Sequence, residues 1–518
     1  MAIQRDPTGA AGNSRFSTTR GHLLRSTAFG QAVRVLPSLR EACGVFGVYA
    51  PGEDVARITF FGLYALQHRG QESAGIATAS ARTLYLKTGM GLVSQVFDED
   101  DLSYLPGKFA IGHTRYSTTG ASHPDNAQPF RVSGPNGELA LGHNGNIVNA
   151  AVLREDLVRA GVTFRTGTDS EVIAQLLTNA PGLDWKERWA HVMRKLNGSY
   201  SLAVITPDAI MLARDPMGNR PLCLGKLDGG WVAASESCAF DHIGATFIRE
   251  IEPGEVIYID ADGLQSLKPM EEQSHAFCVF EYIYFARPDS VLDGKLVYPV
   301  RMNLGRQLAK EHPAPNADVV IGVPDSATAA AIGYSQASGI PFVEGLVKNR
   351  YVGRTFIQPN QRLREIGVHL KFNPLREVLQ DRSIVLVDDS IVRGTTTTGV
   401  IQMLKKAGAR EVHMRVTAPP ITHPCFYGID MGTRWELIAS QKNTDEIRDQ
   451  IGADSLGYLS AEGLENAVAT AKDKLCMACF TGEYPRPVPL QMDKLAMEPT
   501  DGSLDRHESE YTLPLRRV

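Results

Sequence analysis

The sequence predicts two domains of different construction: an α+β domain of mostly antiparallel sheet, followed by an α/β domain on a parallel sheet. Three observations lead there. A chain of 518 residues exceeds what a single hydrophobic core organises. From Cys43 to about residue 270, short β-rich runs alternate with tight turns. From about 290 to 470, buried apolar runs alternate with helical patterns, as in βαβ units.

Each segment follows from its composition. Residues 1–42 are rich in Ser, Thr, Arg and Gly, with little acid before Glu41 and no sustained apolar periodicity. They are expected to be a pro-segment, disordered or cleaved. Their composition resembles a transit peptide, but the apolar core of a secretory signal is missing. Within residues 43–275, strands are expected at 44–49, 109–112, 201–205 and 230–234, and helices near 148–160 and 170–178. Within residues 276–485, the strands fall at 317–321, 383–387 and 412–416. Residues 486–518 read as a tail, since five prolines follow Cys479.

Bulk composition removes several function classes. Hydrophobic residues make up 43% and charged residues 21%, as in a soluble globular protein. A net charge of -5 without a polybasic block gives no basis for nucleic-acid binding. No apolar run approaches the roughly 20 residues of a membrane helix. Seven scattered cysteines are too few, and odd in number, for a disulfide scaffold. A reducing cytoplasm follows, and each cysteine is a candidate for thiolate or metal chemistry.

Cys43 opens Cys-Gly-Val-Phe-Gly just ahead of a strand. Alone it reads as a small core residue. Its companions change that reading: Leu66-Gln-His-Arg-Gly-Gln-Glu72, Gly112-His-Thr-Arg-Tyr-Ser117, Gly142-His-Asn-Gly-Asn146 and Thr168-Asp-Ser-Glu171. In this order they resemble the class II glutamine amidotransferase domain of the N-terminal nucleophile family. The resemblance implies that Cys43 becomes the first residue of the mature chain. Its α-amine, with an ordinary pKa of about 7.7–8.0, then takes the thiol proton. The Ala42–Cys43 bond must be cut for this, and a 42-residue segment is longer than family pro-segments often are. By the same resemblance the Asn144 side chain and the Gly145 backbone N–H face the oxyanion. Arg115 takes the substrate carboxylate and Asp169 its amine, and Arg69, counted with the glutamine-binding residues, orders the pocket.

Residues 383–397 are the sharpest motif of the chain. An apolar strand runs into Asp388 and Asp389, then Ser390 and a Gly-Thr turn opens a helix. Carboxyl ends of parallel strands bind ligands in open α/β sheets. N–H groups and hydroxyls over Arg393, Gly394, Thr395 and Thr396 form an anion nest, while adjacent acids suit ribose hydroxyls and magnesium. This resembles the phosphoribosyl pyrophosphate motif of type I phosphoribosyltransferases. That resemblance places Gly322-Val-Pro-Asp-Ser326 near pyrophosphate and magnesium, with Ser326, Asp388 and Asp389 as the magnesium residues. Lys348, Arg350 and Arg354 lie on a polar loop, 348–356, suited to close over pyrophosphate and exclude water.

Cys476 and Cys479 form a C-x-x-C pair, which by itself supports redox, zinc or cluster readings alike. The segments around Cys278, Cys425, Cys476 and Cys479 resemble ligand segments of iron–sulfur members of the amidophosphoribosyltransferase family. That implies one 4Fe–4S cluster per chain; tetrahedral zinc would satisfy the same four thiolates. Cys223 and Cys238 sit in apolar contexts and read as core.

The resemblance to this family runs from Cys43 to about residue 485. It implies a four-layer αββα nucleophile domain followed by a type I phosphoribosyltransferase domain. It also implies ammonia transfer from glutamine to phosphoribosyl pyrophosphate, the reaction that opens purine synthesis. Mg2+, purine nucleotides as feedback inhibitors, a cytoplasmic location and a homo-oligomer, commonly a tetramer, belong to the same expectation, with no nucleic-acid or membrane partner. Two other readings compete. A sugar-phosphate aminating class II enzyme lacks the Asp-Asp-Ser and Gly-Thr-Thr segment. A nucleotide-sensing regulator would not need Cys43, Asn144, Gly145 and Asp169 together, and usually brings a DNA-binding domain.

Overall fold

Side-chain alternation along the strand Gly44–Tyr49 sets the layers of the first domain. Val45 enters one apolar layer, while Phe46 and Val48 enter another on the opposite face. The computed structural model describes residues 43–116, 120–270, 274–349, 371–431 and 433–489, together with Met497. In it, Gly44–Tyr49 lies mid-sheet, antiparallel to Gly230–Ala234 on one side and Phe109–Arg115 on the other. This seven-stranded sheet continues outward through Cys223–Leu227 and Thr246–Glu250, and through Ser73–Ser80 and Thr83–Met90.

A six-stranded antiparallel sheet stacks on it, with Gly137–Ile147 and Gly198–Ile205 among its strands. Val45, Phe109 and Ile111 of the first sheet meet Ala203, Ile210 and Leu212 of the second in the layer between them. Helix Val55–Ala65 covers the outer face of the first sheet through Leu63 against Phe46 and Val48. Helices Ala150–Arg159, Asp169–Asn179 and Trp185–Lys195 cover the outer face of the second, with Trp189 fully buried. The domain is thus an αββα sandwich.

The second domain carries a four-stranded parallel sheet in the order Val319–Gly322, Ser383–Asp388, Glu411–Val416, Ser455–Tyr458. Its strand Ser383–Asp388 is apolar on both faces because helices cover both, so Val385, Leu386 and Val387 are all fully buried. Helix Thr328–Ser338 follows the first strand and Thr395–Lys406 the second. The two domains meet at a short parallel ladder, Phe277–Cys278 with Leu475–Cys476, and at a π-helical turn, Glu281–Phe285.

Several elements depart from the sequence reading, helix Trp185–Lys195 among them. Helix Val55–Ala65 was not expected, because Phe61 and Tyr64 stay exposed on its outer face and blur the apolar stripe. The fourth strand, Ser455–Tyr458, is too short and polar to announce itself. The segment assigned to a tail stays attached beyond residue 485: the Arg486 carbonyl accepts from the Tyr427 hydroxyl (3.0 Å) and the Pro487 carbonyl from Asn197 Nδ2 (3.1 Å). No helix among the described residues is long and apolar enough to cross a membrane.

Candidate active sites

Strand register brings the first site together. Gly44 pairs with Thr114, so Cys43 falls beside Arg115 at the same edge of the sheet. The Cys43 thiol donates to the Tyr116 carbonyl (3.2 Å), and its sulfur accepts from the Tyr116 N–H (3.3 Å). Cys43, Arg115, Gly145 and Asp169 line one small cavity with His143 and Ser170. Asp169 opens the helix Asp169–Asn179, capped by Thr168, and accepts from the Ile147 N–H at 3.0 Å. The helix start is thereby tied to the strand that carries Asn144 and Gly145.

Gly145 has φ +152°, and a Cβ there would lie 2.1 Å from the Ser199 carbonyl oxygen, so only glycine fits. Asn144 is fully buried, and neither of its amide atoms has a hydrogen-bond partner among the described residues. Buried polar atoms are rarely left so, which marks this amide as one with a ligand to meet. Arg115 is buried against the Glu72 carboxylate and donates to the Ala121 carbonyl at 3.2 Å.

Electrostatics limits who can act as base. Burial pushes the Cys43 thiol up, only partly opposed by the Tyr116 hydrogen bond and Arg115, so no standing thiolate exists. Burial also drives His113 down to about 3 and lowers His143, so both rings are neutral near pH 7. The proton must therefore leave Cys43 during the reaction, and His113, with its basicity lowered so far, is a poor acceptor for it.

Arg69 requires a correction. It does not line the cavity. Its Nε donates to the Cys43 carbonyl (3.0 Å), and its terminal nitrogens bind Glu236 (2.5 Å) and Glu281 (2.7 Å). These contacts put it behind the nucleophile, where it orders the pocket through the Cys43 backbone and is not a lining residue of the cavity. Burial alone would weaken its charge, but the two carboxylates more than offset that and hold it protonated. Removing one partner from such a buried set typically costs about 3–5 kcal/mol. Glu236 and Glu281 were not singled out in the sequence; acids inside apolar runs were the available signal.

The second site lies at the carboxyl end of the strand Ser383–Asp388. Asp388 Oδ1 accepts from the Asp389 N–H (2.9 Å), and the Asp389 carboxylate accepts from Ser326 Oγ (2.5 Å) and Ser390 Oγ (2.6 Å). Ser326, Asp388 and Asp389 therefore converge, as two parallel strands ending side by side require. Gly394, at φ +76°, caps the helix Thr395–Lys406 and points the first N–H groups of Thr395 and Thr396 outward. Burial and the adjacent Asp389 push the Asp388 carboxyl up, and burial raises Asp389 as well. A divalent ion suits such a pair: magnesium is usually held by one or two carboxylates, with substrate oxygens and water completing the shell. Arg393 pairs with Glu436 at 3.3 Å. Lys348 ends the strand Leu346–Lys348 and reaches Asp325 at 2.8 Å, so it faces the Ser326 turn. Arg350 and Arg354 lie outside the described residues.

The four cysteines of the domain junction also converge. Cys278 pairs with Cys476 in register, and the Cys479 carbonyl accepts from the N–H groups of Thr422 and His423, both at 3.0 Å, beside Cys425. Each thiol is pushed up by burial, Cys476 to about 12, and Cys479 also feels the other three sulfurs. Among the described residues no three His, Cys, Asp or Glu side chains close on a point where one ion would sit. Tetrahedral zinc demands four sulfurs within about 2.3 Å of one centre. By their chemistry, four thiolate donors suit an iron–sulfur cluster or zinc alike. Cys223 and Cys238 are buried as expected of core residues.

Comparison with known proteins gives the same division. Residues 113–242 match a glutamine amidotransferase domain and residues 299–430 a phosphoribosyl transferase domain. An amidophosphoribosyltransferase of Synechocystis is 53% identical over 88% of this chain and 94% of its own. The Archaeoglobus fulgidus enzyme of that name is 51% identical over 86% of this chain and 98% of its own. Among solved structures, the glutamine phosphoribosylpyrophosphate amidotransferase of B. subtilis in complex with ADP and GMP superposes with a TM-score of 0.82 at 47% identity, covering 88% of this chain and 99% of that one. With both domains matched and half the residues shared along most of its length, the chain belongs to the amidophosphoribosyltransferase family.

Proposed function

We propose that this chain moves ammonia from glutamine to 5-phosphoribosyl 1-pyrophosphate, giving 5-phosphoribosylamine, glutamate and pyrophosphate, the first committed step of purine synthesis. The observation that carries the reading is the convergence of Cys43, Arg115, Gly145 and Asp169 on one cavity, in a chain whose other domain ends a parallel strand in Asp388-Asp389-Ser390.

Arg115 holds the α-carboxylate of glutamine and Asp169 its ammonium group. Cys43 attacks the amide carbon, Asn144 and the Gly145 N–H stabilise the oxyanion, and the thioester forms as ammonia leaves. Water then releases glutamate. At the second site the turn from Arg393 to Thr396 holds the 5-phosphate, and Asp388 and Asp389 hold the ribose hydroxyls. Lys348 stands by the Ser326 turn, where pyrophosphate would lie, and the resemblance adds Arg350 and Arg354 as further cations for it. Magnesium, when bound near Ser326, Asp388 and Asp389, supplies positive charge for the departing pyrophosphate. Ammonia displaces pyrophosphate at C1 of the ribose. Purine nucleotides as inhibitors, a tetramer and a cytoplasmic location complete the reading; the B. subtilis relative in complex with ADP and GMP supports the first of these.

The α-amine of a mature Cys43, with an ordinary pKa of about 7.7–8.0, is the base in this reading, which requires cleavage after Ala42. Intact-mass or Edman analysis of active protein is expected to show Cys43 as the first residue. An intact Met1 on a chain that hydrolyses glutamine at full rate would refute the amine-base mechanism.

The four-cysteine site is proposed to hold one 4Fe–4S cluster in a structural role, pinning the 475–479 segment to the domain junction. Anaerobically purified protein is expected to be brown, with iron and acid-labile sulfide of about four each per chain. Colourless active protein with one zinc per chain would replace the cluster by zinc and leave both catalytic assignments intact.

A further inference from the structure

Gln128, His143 and Ser170 line the glutamine cavity, yet no step of the reaction above uses them. They come from three elements: Gln128 just ahead of the strand Phe130–Gly134, His143 on Gly137–Ile147, and Ser170 in the first turn of Asp169–Asn179. All three are buried, where polar atoms need partners inside the protein. Gln128 Oε1 accepts from the His143 backbone N–H at 2.7 Å, and Gln128 Nε2 donates to Ser170 Oγ at 3.0 Å. His143 Nδ1 lies 3.0 Å from the same hydroxyl. Ser170 Oγ in turn reaches Asp169 Oδ1 at 3.4 Å.

A hydroxyl has one proton and two lone pairs. Gln128 Nε2 can only donate, so it fills one lone pair. The His143 ring is neutral near pH 7, and one of its two nitrogens carries the proton. Nδ1 stands 3.7 Å from the Asp169 carboxylate, which draws the proton to that side, whereas Nε2 meets the Ser199 carbonyl only at 3.5 Å. With Nδ1 donating, both lone pairs of Ser170 are filled and its proton goes to Asp169 Oδ1. The other oxygen of Asp169 accepts from the Ile147 N–H at 3.0 Å. A carboxylate held at both oxygens by separate elements cannot turn without losing one of the two bonds. We propose that Gln128, His143 and Ser170 are positioning residues that fix the Asp169 carboxylate for the α-ammonium of glutamine, and so determine specificity for an α-amino substrate. This rests on the reading of Asp169 as the amine-binding group.

The test gives the full-length enzyme two substrates: glutamine, and glutaramate, the same amide acid with hydrogen in place of the α-amine. Hydrolysis of each yields kcat/KM, and the ratio of glutamine to glutaramate reads recognition of the amine alone. S170A is expected to lower that ratio about 10-fold, the scale of one hydrogen bond to a charged group. S170T, which keeps a hydroxyl, is expected to restore most of it. The loss belongs in KM, since the amine is bound alike before and during the reaction. General damage to the cavity would slow both substrates and leave the ratio where it was. Q128M, which removes the donor to the Ser170 hydroxyl, is expected to lower the ratio as well. It decides the matter if S170A also fails to make phosphoribosylamine from ammonium, the sign of a misfolded chain. A wild-type ratio in folded S170A, or in Q128M when S170A does not fold, would overturn the positioning role. D169N tests the reading beneath it and is expected to lower the ratio further than S170A does. A wild-type ratio in D169N would mean that Asp169 does not hold the amine, a failure told apart from the first by this variant alone.

Discussion

Replacing Cys43 by alanine is expected to lower glutamine-dependent synthesis by about 10⁴-fold or more, as removal of a covalent nucleophile does. Ammonium-dependent synthesis should stay within about two-fold, since distant sites without shared partners act additively. The reason is spatial. Cys43 touches Tyr116 and the glutamine cavity, whereas the Asp388 site lies at the end of another sheet in another domain. The wild-type glutamine rate should also climb with pH through about 7.7–8.0, as the α-amine loses its proton and becomes a base. Equal loss of both activities in C43A would mean that the two sites do not divide the work.

The complementary change, Asp388→Asn with Asp389→Asn, is expected to cut phosphoribosylamine formation from either nitrogen source by about 10²–10³-fold. Hydrolysis of glutamine should survive. Misfolding is easily separated from lost chemistry here. Burial already penalises both carboxylates, so neutral amides should not lower the melting temperature of the ligand-free protein. A variant with normal melting and normal phosphoribosylamine synthesis would remove these acids from the site.

Most of this site was legible because its chemistry is contiguous in sequence. Asp388, Asp389, Ser390 and the Gly394 turn occupy one strand-to-helix joint, and such a joint has few conformations. Cys43, Arg115, Gly145 and Asp169 come from four separate motifs, which the strand register then brings together. What stayed hidden depends on partners far apart. Arg69 was expected to order the pocket, but it meets Glu281 across 212 residues, so neither local pattern nor charge could disclose the buried carboxylates that hold it. Helix Val55–Ala65 escaped notice for a local reason: aromatic residues on its solvent face obscure the period.

The turn after Cys425 reaches deep into the glutamine domain. The Phe426 carbonyl accepts from Asn146 Nδ2 at 2.9 Å and the Tyr427 carbonyl from Ser199 Oγ at 2.7 Å. A Cβ on Gly428 would come within 3.0 Å of the Gly145 backbone. The strand that presents Asn144 and Gly145 is thus backed by residues synthesised some 280 positions later. The two halves therefore do not behave as interchangeable cassettes. A gene fragment ending at the domain boundary would encode a glutamine half whose oxyanion strand has lost its back wall. An exchange of domains is therefore expected to need the 425–428 turn together with its matching strand.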